Sequence, residues 1–427
     1  MASGLQKVKL VSNPHYKASG IKSYAWLLNK WGFNPTKPGP FVRGSHIKQQ
    51  GHAHVQHNIL RKVNASGKTG EVSAEDIQYD AMYLCPVSIG TPAQTLNLDF
   101  DTGSADLWCW STELPSATQK TGSHNVYDPS KSSTYKKQTG STWQISYGDS
   151  SSASGTVGTD NVTIGGLTIK NQAVELASKM STQFMQSEGD GLLGLAFGSI
   201  NTVKPKAVKT PVENMIAQDD ISSSSELFTC KLGSWRDANE PDKGESFYTF
   251  GYVDQDTMKA AGASEAHWAP VDNSQGFWMI NSTSAVVNGT TTTRSGNTAI
   301  MDTGTTLCLV SDELCEAIYK AIPNGKYDES SQGWVYPTDT KVADLPVVTV
   351  AIGDKQFTIQ KEDLGFVEAS SGWIYGGIQS RGDMTFDIFG DTVLKGIYAI
   401  WDVGNMRFGC VERPEKYQNI TPPAETS

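Results

Sequence analysis

The tripeptide Asp-Thr-Gly occurs twice in this chain, at 101–103 and at 302–304, each time after a short apolar run. An acid at the end of a buried strand is poorly solvated and needs a partner or a chemical task. Two such acids placed face to face cannot both ionise comfortably, so the pair holds one shared proton. One acid can then deprotonate a bridging water while the other donates a hydrogen bond to a carbonyl oxygen. We predict that Asp101 and Asp302 form such a catalytic pair.

The residues that follow each acid are suited to hold it. Glycine allows a tight turn and the close approach of a second backbone, and the hydroxyls of Ser104 and Thr305 can donate hydrogen bonds to the carboxylates. A single Asp-Thr-Gly in a glycine-rich β protein is often only a turn capped by its Asp, and the second copy argues against that interpretation. We predict the following supporting residues for the pair: Thr102, Gly103, Ser104, Thr303, Gly304 and Thr305.

A second repeated feature accompanies the first. An apolar-apolar-Gly triplet ends at Gly194, 93 residues after the first Asp, and another ends at Gly390, 88 residues after the second. Repetition of both parts at similar distances indicates two lobes of similar construction. We expect each lobe to contribute one acid, with the glycines lying beside the two turns.

Composition and patterning favour an all-β protein. The 427 residues are sufficient for two domain cores, and short apolar runs are interrupted about every ten residues, as in proteins built from strands. Helical patterns are brief, at 21–31, 212–218 and 312–322. No run approaches the roughly 20 apolar residues of a membrane span, so no membrane association is predicted.

The first 70 residues form a basic leader. They contain eleven Lys and Arg residues, no Asp or Glu, and five of the seven histidines, whereas the rest of the chain holds 24 basic and 45 acidic residues. A nucleic-acid-binding arm and a segment that docks on its own body both fit this charge distribution. Self-docking is favoured because the leader also carries apolar residues that such an arm rarely needs: Tyr24, Trp26, Leu27, Leu28, Trp31 and Phe33.

Five segments of the chain carry distinctive motifs. They are DFDTGSADLW at 99–108, ISYGDSSSASG at 145–155, DGLLGLAF at 190–197, AIMDTGTTL at 299–307 and FDIFGDTVLKGIYAIWD at 386–402. Together they resemble the fungal pepsin-like aspartic proteases, the group of the aspergillopepsins and penicillopepsins. The resemblance covers roughly residues 78–410, and the leader is similar to the propeptides of that family.

The resemblance implies roles for further residues. Tyr147 matches the tyrosine of the flap, a hairpin that closes over substrate, with Gly148 and Asp149 at its tip. Trp108 matches the tryptophan that braces this tyrosine, although an ordinary core tryptophan would look identical. In relatives with Asp at the position of Asp149, Lys is accepted before the cut besides large apolar residues. A solvated turn Asp is the alternative.

The resemblance also implies an overall organisation. It predicts an all-β bilobal acid protease fold with pseudo-twofold related lobes, a central cleft and an N-terminal propeptide. The implied function is that of an autoactivating zymogen of an aspartic endopeptidase that works at acidic pH without cofactor or metal. Its implied partners are protein or peptide substrates, its own propeptide and pepstatin-like inhibitors, with a monomeric chain and no nucleic acid. The expected boundaries are 1–70 for the propeptide, 71–250 and 251–413 for the lobes, and 414–427 for a polar tail.

One departure from the family concerns cysteine. The positions of the usual C-terminal disulfide appear here as Thr338 and Ile374. The six cysteines lack C-x-x-C spacing, which argues against zinc, and their apolar surroundings predict core thiols. The family implies a secreted or vacuolar protein. Since no secretory signal is visible and five N-x-S/T triplets are close to the number expected by chance, an intracellular location stays open.

Two other classes of protein compete with this interpretation. Phosphoryl transfer through an aspartyl phosphate also uses Asp-Thr-Gly-Thr, but no second acidic motif for Mg²⁺ lies near, and the first Asp-Thr-Gly is left unexplained. A pepsin fold retained as a binding module is the second alternative. The presence of both acids and of Tyr147 favours an enzyme.

Overall fold

A computed structural model describes residues 6–10, 18–50, 53–63, 69–71, 83–146, 152–181, 185, 189–234, 237 and 239–413. Within these residues the chain is built mainly of β-sheet, which confirms the all-β prediction. A six-stranded sheet runs in the order Val8–Lys9, Phe247–Phe250, Leu227–Lys231, Ile397–Asp402, Arg407–Glu412, His267–Pro270. A seven-stranded sheet runs in the order Leu167–Met180, Leu107–Cys109, Gly191–Gly194, Gln94–Asp101, Leu84–Ile89, Ser152–Ile164, Lys136–Ser146.

The second half of the chain supplies a five-stranded sheet and two four-stranded sheets. The five-stranded sheet runs in the order Met279–Asn281, Thr298–Met301, Asp387–Phe389, Cys308–Val310, Ile378–Ser380. The four-stranded sheets are Thr290–Thr293, Ser284–Val287, Val348–Ile352, Lys355–Ile359, and Lys326–Asp328, Gly333–Pro337, Trp373–Gly376, Gly365–Ser370. A three-stranded sheet of the leader comprises Phe41–Gln50, Ala53–Val63 and Thr69–Glu71.

Helices are short and connect the strands. The α-helices of the described residues are Gly20–Lys30, Pro211–Ala217, Gln255–Ala260, Asp312–Lys320 and Asp391–Leu394. Single 3₁₀ turns are formed by Thr118–Lys120, Pro129–Lys131, Gly198–Ile200, Val342–Asp344 and Lys361–Leu364. Local sequence explains their starts, because Thr210 and Glu213 form a capping box around Pro211 and Ser311 caps the helix that follows it. The three helices predicted from the sequence are therefore confirmed within one or two residues at each end.

The repeated motifs occupy equivalent places in the two halves. In the first, Leu192–Gly194 pairs in parallel with Asp99–Asp101. In the second, Ala299–Met301 pairs in parallel with Asp387–Phe389, and the Asp302 amide donates to the Phe389 carbonyl at 3.1 Å. Each acid therefore emerges from a buried strand beside an apolar-apolar-Gly strand, which gives both turns a similar rigid support.

The leader docks on the body at two places. Its strand Val8–Lys9 extends the six-stranded sheet by pairing with Phe247 and Tyr248. Its helix Gly20–Lys30, called the leader helix below, buries one side in a hydrophobic cluster of the second half. The leader contributes Tyr24, Ala25, Leu27, Leu28 and Phe33 to that cluster, and the body contributes Met279, Ile300, Leu307, Leu309, Val335, Tyr375 and Ile388.

All six cysteines are buried thiols without disulfides. They lie at 0–2% exposure within the sheets or, for Cys315, in the helix Asp312–Lys320. Burial raises the pKa of the Cys85 and Cys308 thiols well above the ordinary value, which makes them poor nucleophiles. The prediction of core thiols is confirmed.

We expect Gly390→Ala to lower the free energy of unfolding by more than about 4 kcal/mol. A Cβ at position 390 would lie 2.0 Å from the Thr305 carbonyl oxygen and 2.4 Å from that of Leu307, and packed backbone cannot move aside as a flexible side chain can. Gly289→Ala is the matched control, because its Cβ would meet nothing within 4 Å and only its φ of +80° is unfavourable, at a cost of about 1–2 kcal/mol. Guanidinium unfolding measures both, and equal losses would contradict the argument.

Candidate active site

The two Asp-Thr-Gly turns face each other at the centre of the molecule. Asp101 is 2% exposed and Asp302 is fully buried. Each carboxylate accepts a hydrogen bond within its own turn, from the Gly103 amide at 2.8 Å and from the Gly304 amide at 3.0 Å. A Cβ at Gly103 would approach Asp302 to 2.7 Å, and one at Gly304 would approach Asp101 to 2.2 Å. Only glycine permits this proximity of the two acids.

Reciprocal hydrogen bonds of two threonines join the turns. The Thr303 amide donates to the Thr102 hydroxyl at 2.9 Å, and the Thr102 amide donates to the Thr303 hydroxyl at 3.2 Å. Each hydroxyl then donates to the opposite half, Thr102 to the Met301 carbonyl at 2.8 Å and Thr303 to the Phe100 carbonyl at 2.7 Å. These bonds join residues 199 to 203 positions apart, so they fix the separation of the two acids.

The hydroxyls after the two glycines behave differently. Thr305 donates a short hydrogen bond to Asp302. Ser104 lies close enough to Asp101 to help lower its pKa, but its hydroxyl has no hydrogen bond of ordinary geometry among the described residues. The two acids are therefore held by similar backbone contacts and by unequal side-chain contacts.

One lysine of the leader lies between the two acids. The Lys30 Nζ is 3.1 Å from Asp101 Oδ1, 2.9 Å from Asp302 Oδ2 and 2.7 Å from the Gly304 carbonyl oxygen, so all three of its donors are used. Its side chain is 5% exposed. The sequence alone does not distinguish Lys30 from the other eight lysines of the leader. A usable signal exists, because Lys30 ends the only leader segment with a helical apolar pattern.

The pKa values of the three groups depend on one another. Burial opposes the charge of Lys30, but Asp101 and Asp302 outweigh it and raise the pKa of the ammonium. Burial raises the pKa of Asp302 to about 6, against the lowering by Lys30 and with a further rise from the Asp101 charge. For Asp101 burial is outweighed by Lys30 and by hydrogen bonds, and its pKa is lowered. Beside the ammonium the acids thus have unequal proton affinities.

Aromatic residues form the wall of the cleft next to the pair. The Trp31 indole donates to the Thr305 hydroxyl at 3.2 Å. Its ring lies 5.4 Å from that of Phe277 and 6.4 Å from that of Phe386, measured between centroids. These contacts were not predicted from the sequence, since Phe277 and Phe386 lie far from both turns along the chain. The leader therefore fills both the polar centre and an apolar wall of the cleft.

Further contacts tie the leader to the second half. Asn34 bonds to the Asp383 carboxylate through its amide nitrogens at 2.7 and 2.8 Å. Thr36 donates to Asp312 at 2.5 Å, and Lys37 pairs with Glu316 at 2.9 Å. The acceptors of all these contacts are carboxylates, which lose acceptor strength when protonated.

The predicted flap is only partly visible. Tyr147, Gly148 and Asp149 lie outside the described residues, between the paired strands Lys136–Ser146 and Ser152–Ile164. Trp108 is 3% exposed, and its ring stacks on Trp143 at 5.9 Å between centroids. The assignment of these four residues to the flap and its support stays a prediction.

Comparisons with known proteins identify the family of the chain. The sequence model of the eukaryotic aspartyl protease family matches residues 82–412. The chain is 41% identical over 346 residues to Aspergillopepsin-1 of Aspergillus pseudoglaucus, a match that covers 81% of this chain and 82% of the relative. It is 42% identical over 354 residues to Penicillopepsin-1 of Penicillium rubens, covering 82% and 83%. Penicillopepsin-3 of Penicillium janthinellum is 37% identical over 415 residues, covering 95% and 93%.

The chain therefore belongs to the eukaryotic aspartyl proteases. Within that class it is a fungal pepsin-like aspartic endopeptidase, a hydrolase of peptide bonds. In the part of the chain that the structure describes, no helix combines the length and apolar character needed to cross a membrane.

We expect Lys30→Met to loosen the leader at neutral pH, because removing one partner of a buried charge cluster costs about 3–5 kcal/mol. The Lys37→Met control removes a pair whose Glu316 side chain is 59% exposed, and such pairs contribute no more than about 1 kcal/mol. Limited trypsin digestion at neutral pH, with cleavage at Lys22 followed by mass spectrometry, measures the loosening. Equal digestion rates for the two variants would show that Lys30 does not hold the leader.

Proposed function

We propose that this chain is the zymogen of an acid endopeptidase in which Asp101 and Asp302 are the catalytic pair. The observation that carries the proposal is the position of Lys30, whose single ammonium bonds to both buried carboxylates at 3.1 and 2.9 Å. A cation in that place occupies the space that a shared water needs. The match to Penicillopepsin-3, which covers 95% of this chain and so extends into the leader, supports its assignment as a propeptide.

Withdrawal of Lys30 leaves two buried acids without a cation. They then titrate as a unit that holds one proton. The ionised acid removes a proton from a water placed between them, and the resulting hydroxide attacks the peptide carbonyl carbon. The protonated acid donates to the carbonyl oxygen and stabilises the tetrahedral diol. Collapse of the diol with proton transfer to the amide nitrogen breaks the peptide bond, and the pair regains its single proton.

Substrate preference follows from the cleft wall and the flap. When Trp31 leaves, Phe277 and Phe386 expose an apolar surface, which favours peptides with large apolar residues around the cut. Asp149, by its resemblance to flap acids of relatives, adds acceptance of Lys before the cut.

Asp149→Ser should reduce cleavage after Lys relative to cleavage after Phe, and an unchanged ratio would remove this part of the proposal.

Acid releases the leader because its contacts use carboxylates. Burial opposes the ionised form of Asp254, but hydrogen bonds from Thr257 and Lys7 outweigh it and lower its pKa, and the Lys7 pair measures 3.0 Å. A carboxylate with a lowered pKa stabilises docking above its ordinary pKa, and this contribution is lost as the pH falls through the lowered value. Asp101, whose pKa is lowered chiefly by Lys30 against burial, follows the same rule. Docking therefore weakens on acidification.

The organisation of the active protein is part of the same proposal. Cleavage between about 64 and 79 separates the propeptide 1–70 from the lobes 71–250 and 251–413, and 414–427 forms a tail. Most of the 64–79 segment lies outside the described residues. The mature protein is a monomer that acts on protein or peptide substrates, binds pepstatin-like inhibitors, and is secreted or vacuolar.

Asp101→Asn and Asp302→Asn should each lower the rate of peptide cleavage by about 10⁴-fold or more, because an amide cannot share the catalytic proton. Thr163→Val serves as the control, because it changes a surface hydroxyl that bonds to the Thr168 hydroxyl, far from the acids along the chain. Cleavage of a random peptide library across several pH values, with and without a statine peptide, reports activity and preference together. Full activity in either Asn variant would exclude the proposed dyad.

Brief incubation of the full chain at about pH 3–4 should shorten it by about 7–8 kDa as carboxylate contacts of the leader are lost. The Asp101→Asn variant should keep its full length under the same conditions, since conversion requires its own active site. Mass spectrometry locates the cut. A full-length wild-type chain that cleaves peptides at neutral pH would contradict the zymogen.

A further inference from the structure

A second pair of buried acids, Asp106 and Glu175, lies directly behind the first catalytic turn. Asp106 follows Asp101 by five residues and is 2% exposed, and Glu175 is 1% exposed. Glu175 belongs to the strand Leu167–Met180, which runs parallel to Leu107–Cys109 and places Glu175 opposite Trp108. The two acids thus meet where the segment after the turn enters the sheet.

Neutral groups supply the hydrogen bonds of this pair. Asp106 Oδ1 accepts from the Thr202 amide and hydroxyl, both at 2.9 Å, and from Asn201 Nδ2 at 3.1 Å. The same Asn201 nitrogen lies 3.0 Å from Glu175 Oε1 and 3.1 Å from the Ala105 carbonyl oxygen. Glu175 Oε2 is buried and has no donor among the described residues. Glu175 Oε2 is therefore available to carry a proton.

The described residues contain no ion pair of either acid with a cation, and the elements packed around them add none. The adjacent strand brings the Cys109 thiol near Glu175. The helix Pro211–Ala217 carries Glu213, which is bonded to the amides of Gly198 and Thr210. The strand Ser152–Ile164 carries Asp160, whose acceptors are used by Tyr127 and Thr134. Nothing among these groups can neutralise a second negative charge at the pair.

The energetics of burial agree with a single charge. Burial raises the pKa of Glu175 well above its ordinary value, and the Asp106 charge adds to the rise. Burial also raises the pKa of Asp106, against hydrogen bonds from Thr202. Two acids that are buried together without a cation favour the state with one proton between them.

We propose that Asp106 and Glu175 share one proton and act as positioning residues for the first catalytic turn, so that loss of this proton sets the upper pH limit of the active fold. The Asp106 carbonyl accepts from the Gly194 amide at 2.8 Å, and the Ser104 carbonyl accepts from the Ala196 amide at 2.8 Å. When both acids are ionised, the repulsion between their charges acts on the segment that contains Ser104 and Asp106, and through this segment on Asp101. The proposal rests on the proposed function only in taking Asp101 as catalytic.

The direction of the pH effect follows from linkage. A carboxyl whose pKa is raised by folding binds more protons in the native state than in the unfolded chain. The stability of the native state therefore falls as the pH rises from the ordinary carboxyl pKa of about 4 toward the raised value. Each pH unit in that window shifts the folding equilibrium about tenfold toward the unfolded chain. Acid conditions therefore stabilise the turn, and a rise in pH toward neutral destabilises it.

The test compares the acid-converted enzyme with its Glu175→Gln variant. Glutamine keeps the shape and the acceptor for Asn201, donates to Asp106 through its amide, and cannot ionise. We expect wild-type activity at about pH 3.5, together with a half-life at about pH 7 that is at least tenfold longer than that of the wild type. Asp106→Asn, which also leaves one ionisable group, should lengthen the half-life, and the double variant should add little to either single change.

Glu265→Gln provides the matched control, because it removes an exposed carboxylate from the same chain and should leave the half-life unchanged. Tryptophan fluorescence across pH follows unfolding without reference to activity. If both amide variants unfold and lose activity at neutral pH as fast as the wild type, the shared proton is excluded. If no protein cleaves peptides in acid but the variants still resist neutral unfolding, the proposed function fails and the shared proton stands.

Discussion

The structure around Asp101 and Asp302 depends on the burial of two carboxylic acids next to each other, away from solvent. Burial alone raises the pKa of Asp302 and would raise that of Asp101, so the acids tolerate each other only with a proton or a cation between them. Their contact requires glycine after each Asp-Thr, because a Cβ there would collide with the opposite carboxylate. It also requires the reciprocal bonds of Thr102 and Thr303, which fix the two halves at that separation. The glycines and threonines of both turns are therefore needed for the same reason, which is to hold two buried acids in contact.

Lys30 satisfies this constraint by its charge, whereas the active enzyme that we propose satisfies it by a proton. The proposed inhibition and the proposed chemistry therefore use the same atoms, since the ammonium bonds to both acids and to the Gly304 carbonyl. The leader adds carboxylate contacts far from the centre, such as Lys7 with Asp254. Both sets of contacts have carboxylate acceptors. A fall in pH therefore weakens the contacts of Lys30 with the two acids and the peripheral contacts of the leader together.

The sequence predicted the features that depend on local patterns, and the structure supplied those that depend on distant contacts. The all-β class, the short helices and the core thiols followed from periodicity and surroundings, and the two Asp-Thr-Gly turns do meet. The identity of the lysine that bonds to both acids was not predicted, because it depends on how the leader helix lies over the cleft. Phe277, Asp106 and Glu175 were missed for the same reason, since their partners lie far away along the chain. Buried acids in sheet strands carry no sequence signal that distinguishes them from exposed ones.

The two halves have a similar backbone around the turns but differ in the partners of their buried carboxylates. Three residues before the triplet glycine, the first half has Gly191 and the second half has Asp387. Asp387 is fully buried and pairs with Arg294 and with Arg381, the latter at 2.6 Å. Burial raises the pKa of Asp387, but the charges of Arg294 and Arg381 oppose this rise, and arginine keeps its charge at every pH that a protein survives. In the part of the chain that the structure describes, the hydrogen-bond donors to Asp106 and Glu175 in the first half are neutral. The proposed sensitivity to neutral pH therefore lies with a pair of acids that has no arginine partner among the described residues, beside the turn that carries Asp101.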